Sequence, residues 1–382
     1  MKKNDFCKLI VGYPLTVCFS LFILVIFAMY FFMPDKELSE WENRYLAKAP
    51  EVRIGDLMDG SYMTKYENYI NDQIPFRDGF IKLKAIGETC ILKIENNGIS
   101  KGKDSYLFTK GEEKTDIFDK NIAIISQFSE AVNNNVTVAI APNASGVLMD
   151  KIPKGMIMPD QSEKLMEISG NNSLLKGARV VDLRSALLAH EDEYIYYKTD
   201  HHWTTLGAYY AYREISDNPV KIEDIEKDVK QETSEGFLGT LYAKYKGLFV
   251  DSDVINFYDI PVKEFITDET ERDSLLDREK LKVFDKYGMF LFGNFGESKI
   301  VSDDSIVKEE GRNRSLIVFK DSYANCLIPF LTYDYEYITL IDLRYYKGSV
   351  KELIASNSDA DILFINNFDF LNEDNHFYKM MK

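Results

Sequence analysis

The sequence predicts an α/β fold with a mostly parallel sheet, helices on both of its faces, and one transmembrane helix in front of it. Short, continuous apolar runs recur from residue 136 onward, and such runs are typical of strands buried on both faces. Amphipathic stretches separate several of these runs, as the crossover helices between parallel strands do. A long uncharged segment near the N-terminus predicts the transmembrane helix.

The uncharged segment runs from Leu9 to Met33 and is rich in Leu, Ile, Val and Phe. About 20 apolar residues span the hydrocarbon core of a bilayer, so this length favours a membrane span over a buried globular helix. A cleaved signal peptide has an apolar region of only about 7–15 residues and small side chains at its cleavage site. Residues 29–33 are bulky instead. We therefore predict an uncleaved single-pass anchor at 9–33.

The orientation of this anchor is indicated less by charge than by the size of the domain after it. Lys2, Lys3 and Lys8 precede the span, but basic residues also come soon after it, so the positive-inside bias is weak. Long domains cross the membrane largely regardless of their charge. We therefore predict a cytoplasmic tail at 1–8 and an extracytoplasmic C-terminal domain at the cell membrane.

Composition limits the partners and cofactors of that domain. A net charge of −16 argues against nucleic acid as the main partner. Of the four cysteines, only Cys90 and Cys326 lie away from the span, and whether they pair stays open. Cys and His stand at spacings that form no metal cluster, so no metal and no cofactor is predicted.

Turn signals and periodicity order the rest of the chain. Residues 34–97 are predicted to be an irregular linker followed by helical residues, with a helix break at 72–77. Residues 98–382 are predicted to form the α/β domain. Its predicted strands are 105–108, 136–141, 179–183, 315–319, 337–343 and 360–365, and its predicted helices are 119–133, 161–169, 206–213, 323–331 and 350–356. The charged segment 217–310 interrupts the alternation and is interpreted as an insertion, either a lid or a module.

Two short stretches carry residues typical of nucleophilic catalysis. Ser322 follows the apolar run Ser315-Leu316-Ile317-Val318-Phe319 and precedes a predicted helix, whose first amides are able to hold a developing oxyanion. The alternative is structural, because Asp321-Ser322 is also a good helix N-cap pair.

The second stretch is Thr199-Asp200-His201-His202-Trp203. In an extended segment residues two apart share a face, so the carboxylate of Asp200 is expected to fix the tautomer of His202. His201 points elsewhere and is interpreted as polar surface or a substrate contact. A serine, an imidazole and a carboxylate together make a nucleophilic triad.

A metal-dependent phosphoesterase is the competing interpretation of Asp-His-His. Such a site needs further Asp and His residues to bridge two metals. His190 and His376 lie in ordinary polar contexts, and Asp251, Asp253, Asp359 and Asp361 have no histidine close by in sequence. The sequence therefore disfavours this interpretation.

The serine and histidine stretches resemble motifs of a known family. Two motifs resemble those of the DHHW protein family. The first is residues 199–203 with Thr204-Thr205-Leu206-Gly207-Ala208 after them, and the second is residues 320–324 followed by Pro329-Phe330. That family is related to the alginate O-acetylation proteins AlgJ and AlgX within the SGNH hydrolase-like group. Shorter matching elements are Glu42-Asn43-Arg44, Ile74-Pro75-Phe76-Arg77, 102–108 and 341–346.

The resemblance implies roles for individual residues. It implies an SGNH hydrolase-like fold with Ser322 as the nucleophile, His202 as the base and Asp200 as its orienting acid. The order of Asp200, His202 and then Ser322 matches that of the acetyltransferase relatives. The candidates for substrate or oxyanion contacts are Asn143, Tyr323, His201 and Trp203. Asn143 is interpreted equally well as a turn residue at a strand end.

The resulting functional prediction is an O-acetyltransferase, or an O-acetylesterase, that acts on a cell-envelope polysaccharide. The triad alone does not distinguish the two, because acceptor choice depends on pocket shape and exclusion of water. The resemblance implies a membrane-bound O-acyltransferase partner as the acetyl donor. The alternative from another class is a non-catalytic glycan-binding or scaffold protein, whose 24 Tyr and 25 Phe residues offer surfaces for stacking sugars.

Overall fold

Chain contacts divide the protein into two compact units, Met1–Lys93 with Lys246–Leu248, and Ile94–Tyr245 with Phe249–Lys382. The computed structural model describes residues 12–39, 44–110, 115–158, 160–170 and 174–381. The predicted tail at 1–8, the first residues of the predicted anchor, and Glu42 and Asn43 of the family resemblance lie outside the described residues.

The first unit is helical. Its elements are α1 (Pro14–Phe32), β1 (Leu38–Ser39), β2 (Arg44–Tyr45), α2 (Ile54–Met58), α3 (Ser61–Gln73) and α4 (Arg77–Cys90). Helix α1 begins at a proline, where the missing N–H costs no hydrogen bond, and none of its 19 residues is buried. By length and composition it is able to cross a membrane. The predicted helix break is confirmed, since Phe76 between α3 and α4 adopts a left-handed φ of 59°.

The second unit contains a large mixed sheet. Its strands are β3 (Glu95–Asn96), β4 (Ile99–Lys101), β5 (Leu107–Thr109), β6 (Val136–Ala141), β7 (Arg179–Val181), β8 (Gln231–Phe237), β9 (Asp253–Tyr258), β10 (Val262–Thr267), β11 (Thr270–Arg272), β12 (Glu297–Ser302), β13 (Ser315–Lys320), β14 (Tyr337–Ile341) and β15 (Asp361–Asn367). Eight of them form one sheet in the order β11-β10-β12-β14-β13-β15-β6-β7. Strands β14, β13, β15, β6 and β7 are parallel to one another, whereas β12, β10 and β11 are antiparallel.

Helices cover both faces of this sheet, as predicted. The α-helices of the unit are α5 (Thr115–Ala131), α6 (Ala144–Val147), α7 (Gln161–Ser169), α8 (Leu183–Leu188), α9 (Thr205–Ile215), α10 (Ile222–Asp228), α11 (Thr240–Tyr245), α12 (Ile328–Leu331), α13 (Val350–Ser356) and α14 (Phe368–Glu373). Strand β13 shows how the layers form, because Leu316 and Val318 join the core on the side of α8 and α9, while Ile317 and Phe319 join the core on the side of α5 and α14.

Two features differ from the sequence prediction. Segment 217–310 supplies the three antiparallel strands β10, β11 and β12 of the central sheet, so it is built into the α/β layer. Charged residues such as Glu264 and Lys299 interrupt the apolar residues along these strands. The sequence therefore shows no continuous apolar run that would predict them. The predicted helix 323–331 is instead a 3₁₀-helix at Ser322–Cys326 followed by α12. Pro329 has no N–H to continue a hydrogen-bonded helix from the preceding turn.

Candidate active site

Ser322 lies just beyond the carboxyl end of β13, at the first residue of the 3₁₀-helix, and is half-buried. Asp321 holds this turn. One of its carboxylate oxygens accepts a hydrogen bond from the N–H of Tyr323 at 2.8 Å, and the other accepts from the N–H of Asn367 at 2.7 Å. Sites in parallel α/β sheets form at such strand ends. The amide of Tyr323, expected to face an oxyanion, is therefore already bound to Asp321.

The structure brings Ser322, His202 and Asp200 into a continuous hydrogen-bonded array. Nε2 of His202 is 2.9 Å from Oγ of Ser322, and Nδ1 of His202 is 2.5 Å from Oδ1 of Asp200. The backbone N–H of His202 donates to the same Oδ1 at 3.0 Å. A carboxylate only accepts, so the proton of the ring lies on Nδ1 and the lone pair of Nε2 faces the serine hydroxyl.

Asp200 is buried with the means to stay ionised. Its second oxygen, Oδ2, accepts from the N–H of Thr240 at 2.7 Å and from the Thr240 hydroxyl at 2.9 Å. Burial raises the pKa of Asp200, but the neighbouring imidazoles of His201 and His202 and the hydrogen bonds outweigh it, so the pKa lies below its ordinary value. At neutral pH the carboxylate is therefore present to orient His202.

A second buried carboxylate, Asp253, fixes the backbone that carries this array. It accepts from the N–H of Lys198 at 2.7 Å and from the N–H and hydroxyl of Thr199 at 2.7 and 2.5 Å. The hydroxyl of Tyr194 also donates to it. Asp253 lies on β9, far from Asp200 along the chain, and no sequence motif indicates this role.

Trp203 and Tyr323, two of the candidates for substrate or oxyanion contacts, are buried and hydrogen bonded to protein. Trp203 is fully buried, and its indole Nε1 donates to the carbonyl of Tyr323 at 2.8 Å. The phenol of Tyr323 is buried as well and donates to the carbonyl of His201 at 2.6 Å. These bonds join the histidine segment to the serine turn. The polar side-chain atoms of Trp203 and Tyr323 therefore face protein, and their assignment as substrate or oxyanion contacts stays a prediction.

Tyr287 is a site residue that sequence reasoning missed. Its ring stacks on the imidazole of His202, with centroids 3.7 Å apart and planes at 10°. Its hydroxyl donates to the carbonyl of Ser322 at 3.0 Å. One buried side chain therefore sets the plane of the imidazole and the position of the serine backbone. It lies in a charged segment with no recognisable pattern, so no sequence signal marks it.

Asn143 lies two strands away from Ser322 in the order of the sheet. It follows β6 and stands at the N-cap position of α6 without a side-chain capping bond. Its side-chain oxygen accepts from Nδ2 of Asn367 at 2.6 Å, and its N–H donates to the side-chain oxygen of Gln161 at 3.0 Å. Asn367 in turn donates its N–H to Asp321, which precedes the serine. Asn143 is therefore linked to the serine turn through Asn367 and Asp321. These contacts fit the interpretation of Asn143 as a turn residue at a strand end.

The donor atoms of Asp200, His201 and His202 lie within 4.8 Å of one another, close enough to share a metal ion. Each ring nitrogen Nδ1 and both carboxylate oxygens are already hydrogen bonded within the cluster or to Thr240, and Nε2 of His202 meets Ser322. A metal would have to displace these bonds. The arrangement fits proton transfer from Ser322 better than metal ligation.

Two buried groups flank the serine turn. Burial lowers the pKa of Lys320 to about 8, and its ammonium donates to the amide oxygens of Asn325 at 2.6 Å and Asn294 at 3.1 Å. Cys326 is a free buried thiol whose pKa burial raises to about 12.

Two clefts open on this unit. One of about 880 Å³, lined by Asn294 and Arg344, lies near Lys320, whereas one of about 680 Å³ lies at the amino ends of β6, β13 and β15.

Gly239 has no side chain, which makes room for Asp200. We expect Gly239→Ala to displace Asp200 and so to lower the reactivity of Ser322. A Cβ on Gly239 would lie 2.3 Å from Cβ and 2.4 Å from Oδ2 of Asp200, so the carboxylate must move. A displacement of about 1 Å in such a constellation costs roughly 10²-fold in rate. Reaction of Ser322 with a sulfonyl fluoride measures the effect.

Gly87→Ala is the matched control, because nothing lies within 4 Å of a Cβ at that position inside α4. This control is expected to leave the reaction rate unchanged and to raise the melting temperature slightly, since Ala stabilises a helix interior by roughly 0.5–1 kcal/mol. Equal serine reactivity in the two variants would show that Asp200 tolerates the displacement.

Fold and site together define an α/β protein that carries a serine, histidine and aspartate array at the carboxyl edge of its sheet. The model of the DHHW protein family matches residues 97–341, well over half of the chain. The chain belongs to the DHHW family, as the sequence predicted.

The chain is similar to several solved structures. A DHHW family protein from Eubacterium siraeum DSM 15702 is similar at 25% identity with a TM-score of 0.61, over 75% of this chain and 96% of that one. PatB1 of Bacillus cereus, solved with a sulfonyl adduct, is similar at 20% identity with a TM-score of 0.57, over 73% of this chain and 97% of that one. The O-acetyltransferase domain of Pseudomonas putida AlgJ gives 14% identity and a TM-score of 0.43, over 73% and 93%. None of the proteins of curated function compared with the chain matches it.

Proposed function

We propose that this protein is an SGNH-like O-acetyltransferase that modifies a cell-envelope polysaccharide through Ser322, His202 and Asp200. The observation that carries the proposal is the contact of Ser322 Oγ with His202 Nε2 at 2.9 Å, backed by the buried Asp200 at 2.5 Å from Nδ1. Nucleophile, base and orienting acid are thus within hydrogen-bond reach in the order that serine catalysis needs.

In the first half-reaction His202 Nε2 takes the proton of Ser322 as Oγ attacks the carbonyl carbon of an acetyl donor. The bond from that carbon to the leaving group breaks, and the leaving group takes the proton from His202. In the second half-reaction His202 takes the proton of a sugar hydroxyl, whose oxygen attacks the acetyl-serine ester. Ser322 leaves and recovers the proton from His202. If water replaces the sugar, the same steps make an esterase.

Helix α1 supports a location at the membrane. It is 19 residues long and apolar, and none of its residues is buried. As a single-pass anchor it would hold the catalytic unit on the extracytoplasmic side, beside an envelope polysaccharide. There the acetyl group would come from a membrane-bound O-acyltransferase, the partner that the family resemblance implies.

The test separates serine activation from the identity of the donor. The full chain in detergent is treated with phenylmethylsulfonyl fluoride and digested, and mass spectrometry locates the label. The same protein is given p-nitrophenyl acetate, and nitrophenolate release is followed. We expect one label, on Ser322, and an acetyl-release rate above the buffer background that the label abolishes.

Ser274→Ala is the matched control for this test. Ser274 is also half-buried and donates to a carboxylate, that of Asp259 at 2.8 Å, but with no imidazole in that contact. We expect this variant to react like the unmodified protein. A chain whose Ser322 is no more reactive than Ser274 would instead support the non-catalytic scaffold.

A further inference from the structure

His201 stands beside the array without belonging to it. Its ring centroid is 3.8 Å from that of His202, with the planes tilted by 38°. The backbone carbonyl of His201 accepts from the buried phenol of Tyr323 at 2.6 Å, so the residue is held firmly in place. Its side chain is nevertheless 45% exposed, against 5% for that of His202. A fixed imidazole therefore faces the solvent side of the site.

The hydrogen bonds of Thr240 determine which nitrogen of His201 carries the proton. The Thr240 hydroxyl lies 2.9 Å from Oδ2 of Asp200 and 2.7 Å from Nδ1 of His201. A hydroxyl has one hydrogen, and a carboxylate only accepts, so Thr240 donates to Asp200. Nδ1 of His201 must then donate to Thr240. In the neutral ring this leaves Nε2 as a hydrogen-bond acceptor.

The direction of that acceptor follows from the second imidazole. Both Nδ1 atoms lie toward Asp200, at 2.5 Å from Oδ1 for His202 and 3.6 Å for His201. The two rings face each other with centroids 3.8 Å apart, and both Nδ1 atoms point to the carboxylate, so both Nε2 atoms are on the side away from it. Nε2 of His202 meets Ser322 there. Nε2 of His201 therefore presents a lone pair on the same side as the nucleophile.

We propose that Nε2 of His201 accepts a hydrogen bond from a second hydroxyl of the acceptor, adjacent to the hydroxyl that receives the acetyl group. This inference rests on the proposed transferase function and specifies its acceptor as a vicinal diol, the pattern found on a sugar ring. His202 takes the proton from the reacting hydroxyl, and His201 orients its neighbour. Water and simple alcohols have no second hydroxyl for His201 to hold.

The experiment uses a ring-shaped probe with and without the second hydroxyl. The full chain in detergent is acylated with p-nitrophenyl acetate in the presence of trans-1,2-cyclohexanediol or cyclohexanol at equal concentration. Acetylated product and free acetate are both quantified, which gives the ratio of transfer to hydrolysis. After correction for its two hydroxyls, the diol is expected to be preferred by roughly fivefold, which corresponds to about 1 kcal/mol, the typical contribution of one hydrogen bond.

Two variants separate the nitrogens of His201. In His201→Asn the amide takes the place of Nδ1 and keeps the bond to Thr240, but nothing replaces Nε2. In His201→Gln the amide lies near the position of Nε2. We expect His201→Asn to lose the diol preference, measured as the ratio of diol to cyclohexanol transfer within each variant, and His201→Gln to retain part of it.

The outcomes distinguish this inference from the proposed function. A diol preference that survives in His201→Asn, or no preference in the unchanged protein, overturns the role of His201 and leaves the triad intact. If the unchanged protein shows neither acetyl hydrolysis nor sulfonyl labelling of Ser322, the proposed transferase function is overturned, and the inference with it.

Discussion

Replacing Ser322 by Ala is expected to lower acetyl release by on the order of 10⁶-fold, and replacing His202 by Ala as well is expected to cost nothing further. The reason is that hydroxyl and imidazole act as one unit across a 2.9 Å contact, so the loss of either removes the same step. Steady-state rates of the two single variants and the double variant test this.

His376→Ala provides the control for the histidine. His376 accompanies Asp374 at the same spacing as His202 accompanies Asp200, with Nδ1 2.9 Å from the carboxylate and the backbone N–H donating to it at 2.7 Å. Within the described part of the chain no serine hydroxyl is hydrogen bonded to its ring. We expect full activity. Single-variant losses that multiply in the Ser322 and His202 double variant would contradict the triad.

The second large effect concerns Asp200→Asn, which is expected to lower kcat by on the order of 10⁴-fold while the protein stays folded. An amide at this place is able to donate to Nδ1, which moves the ring proton to Nε2, where it faces Ser322 and blocks proton transfer. The measurement is kcat for acetyl release together with the melting temperature.

Asp374→Asn is the matched control for the carboxylate, since it changes an Asp-x-His pair with the same local hydrogen bonds. It is expected to keep its rate. A loss of less than tenfold in Asp200→Asn would contradict the role of the carboxylate in holding the tautomer of His202.

These two Asp-x-His pairs also show how far the sequence reaches. The local geometry of Asp200 and His202 follows from their spacing, because a side chain and a backbone two residues apart meet in a short extended segment. At His376 the backbone N–H and Nδ1 likewise bond the carboxylate two residues earlier, although through its two different oxygens, and the sequence there indicates only an ordinary polar context. Only the contact with Ser322, 120 residues farther along the chain from His202, distinguishes the first pair. The sequence suggested that contact through the serine at a strand end and the family resemblance.

The supporting residues were beyond sequence reasoning for a physical reason. Gly239, Thr240, Asp253 and Tyr287 act through tertiary contacts, and no motif in the stretches around them indicates a site. The strands of the parallel part were predictable, because burial on both faces writes a continuous apolar run. Strands β10 to β12 at the edge of the sheet mix charged and apolar residues and carry no such run.

The wide spacing of the array along the chain has a consequence for how the protein matures. Asp200, Gly239 with Thr240, Tyr287 and Ser322 come from four separate stretches, which meet only when the second unit has folded. Long-range contacts of this kind form late and slowly, since the entropy of closing large loops must be met first. An incompletely folded chain would thus carry every reactive group and yet be chemically silent. Reactivity would begin only with the last docking step.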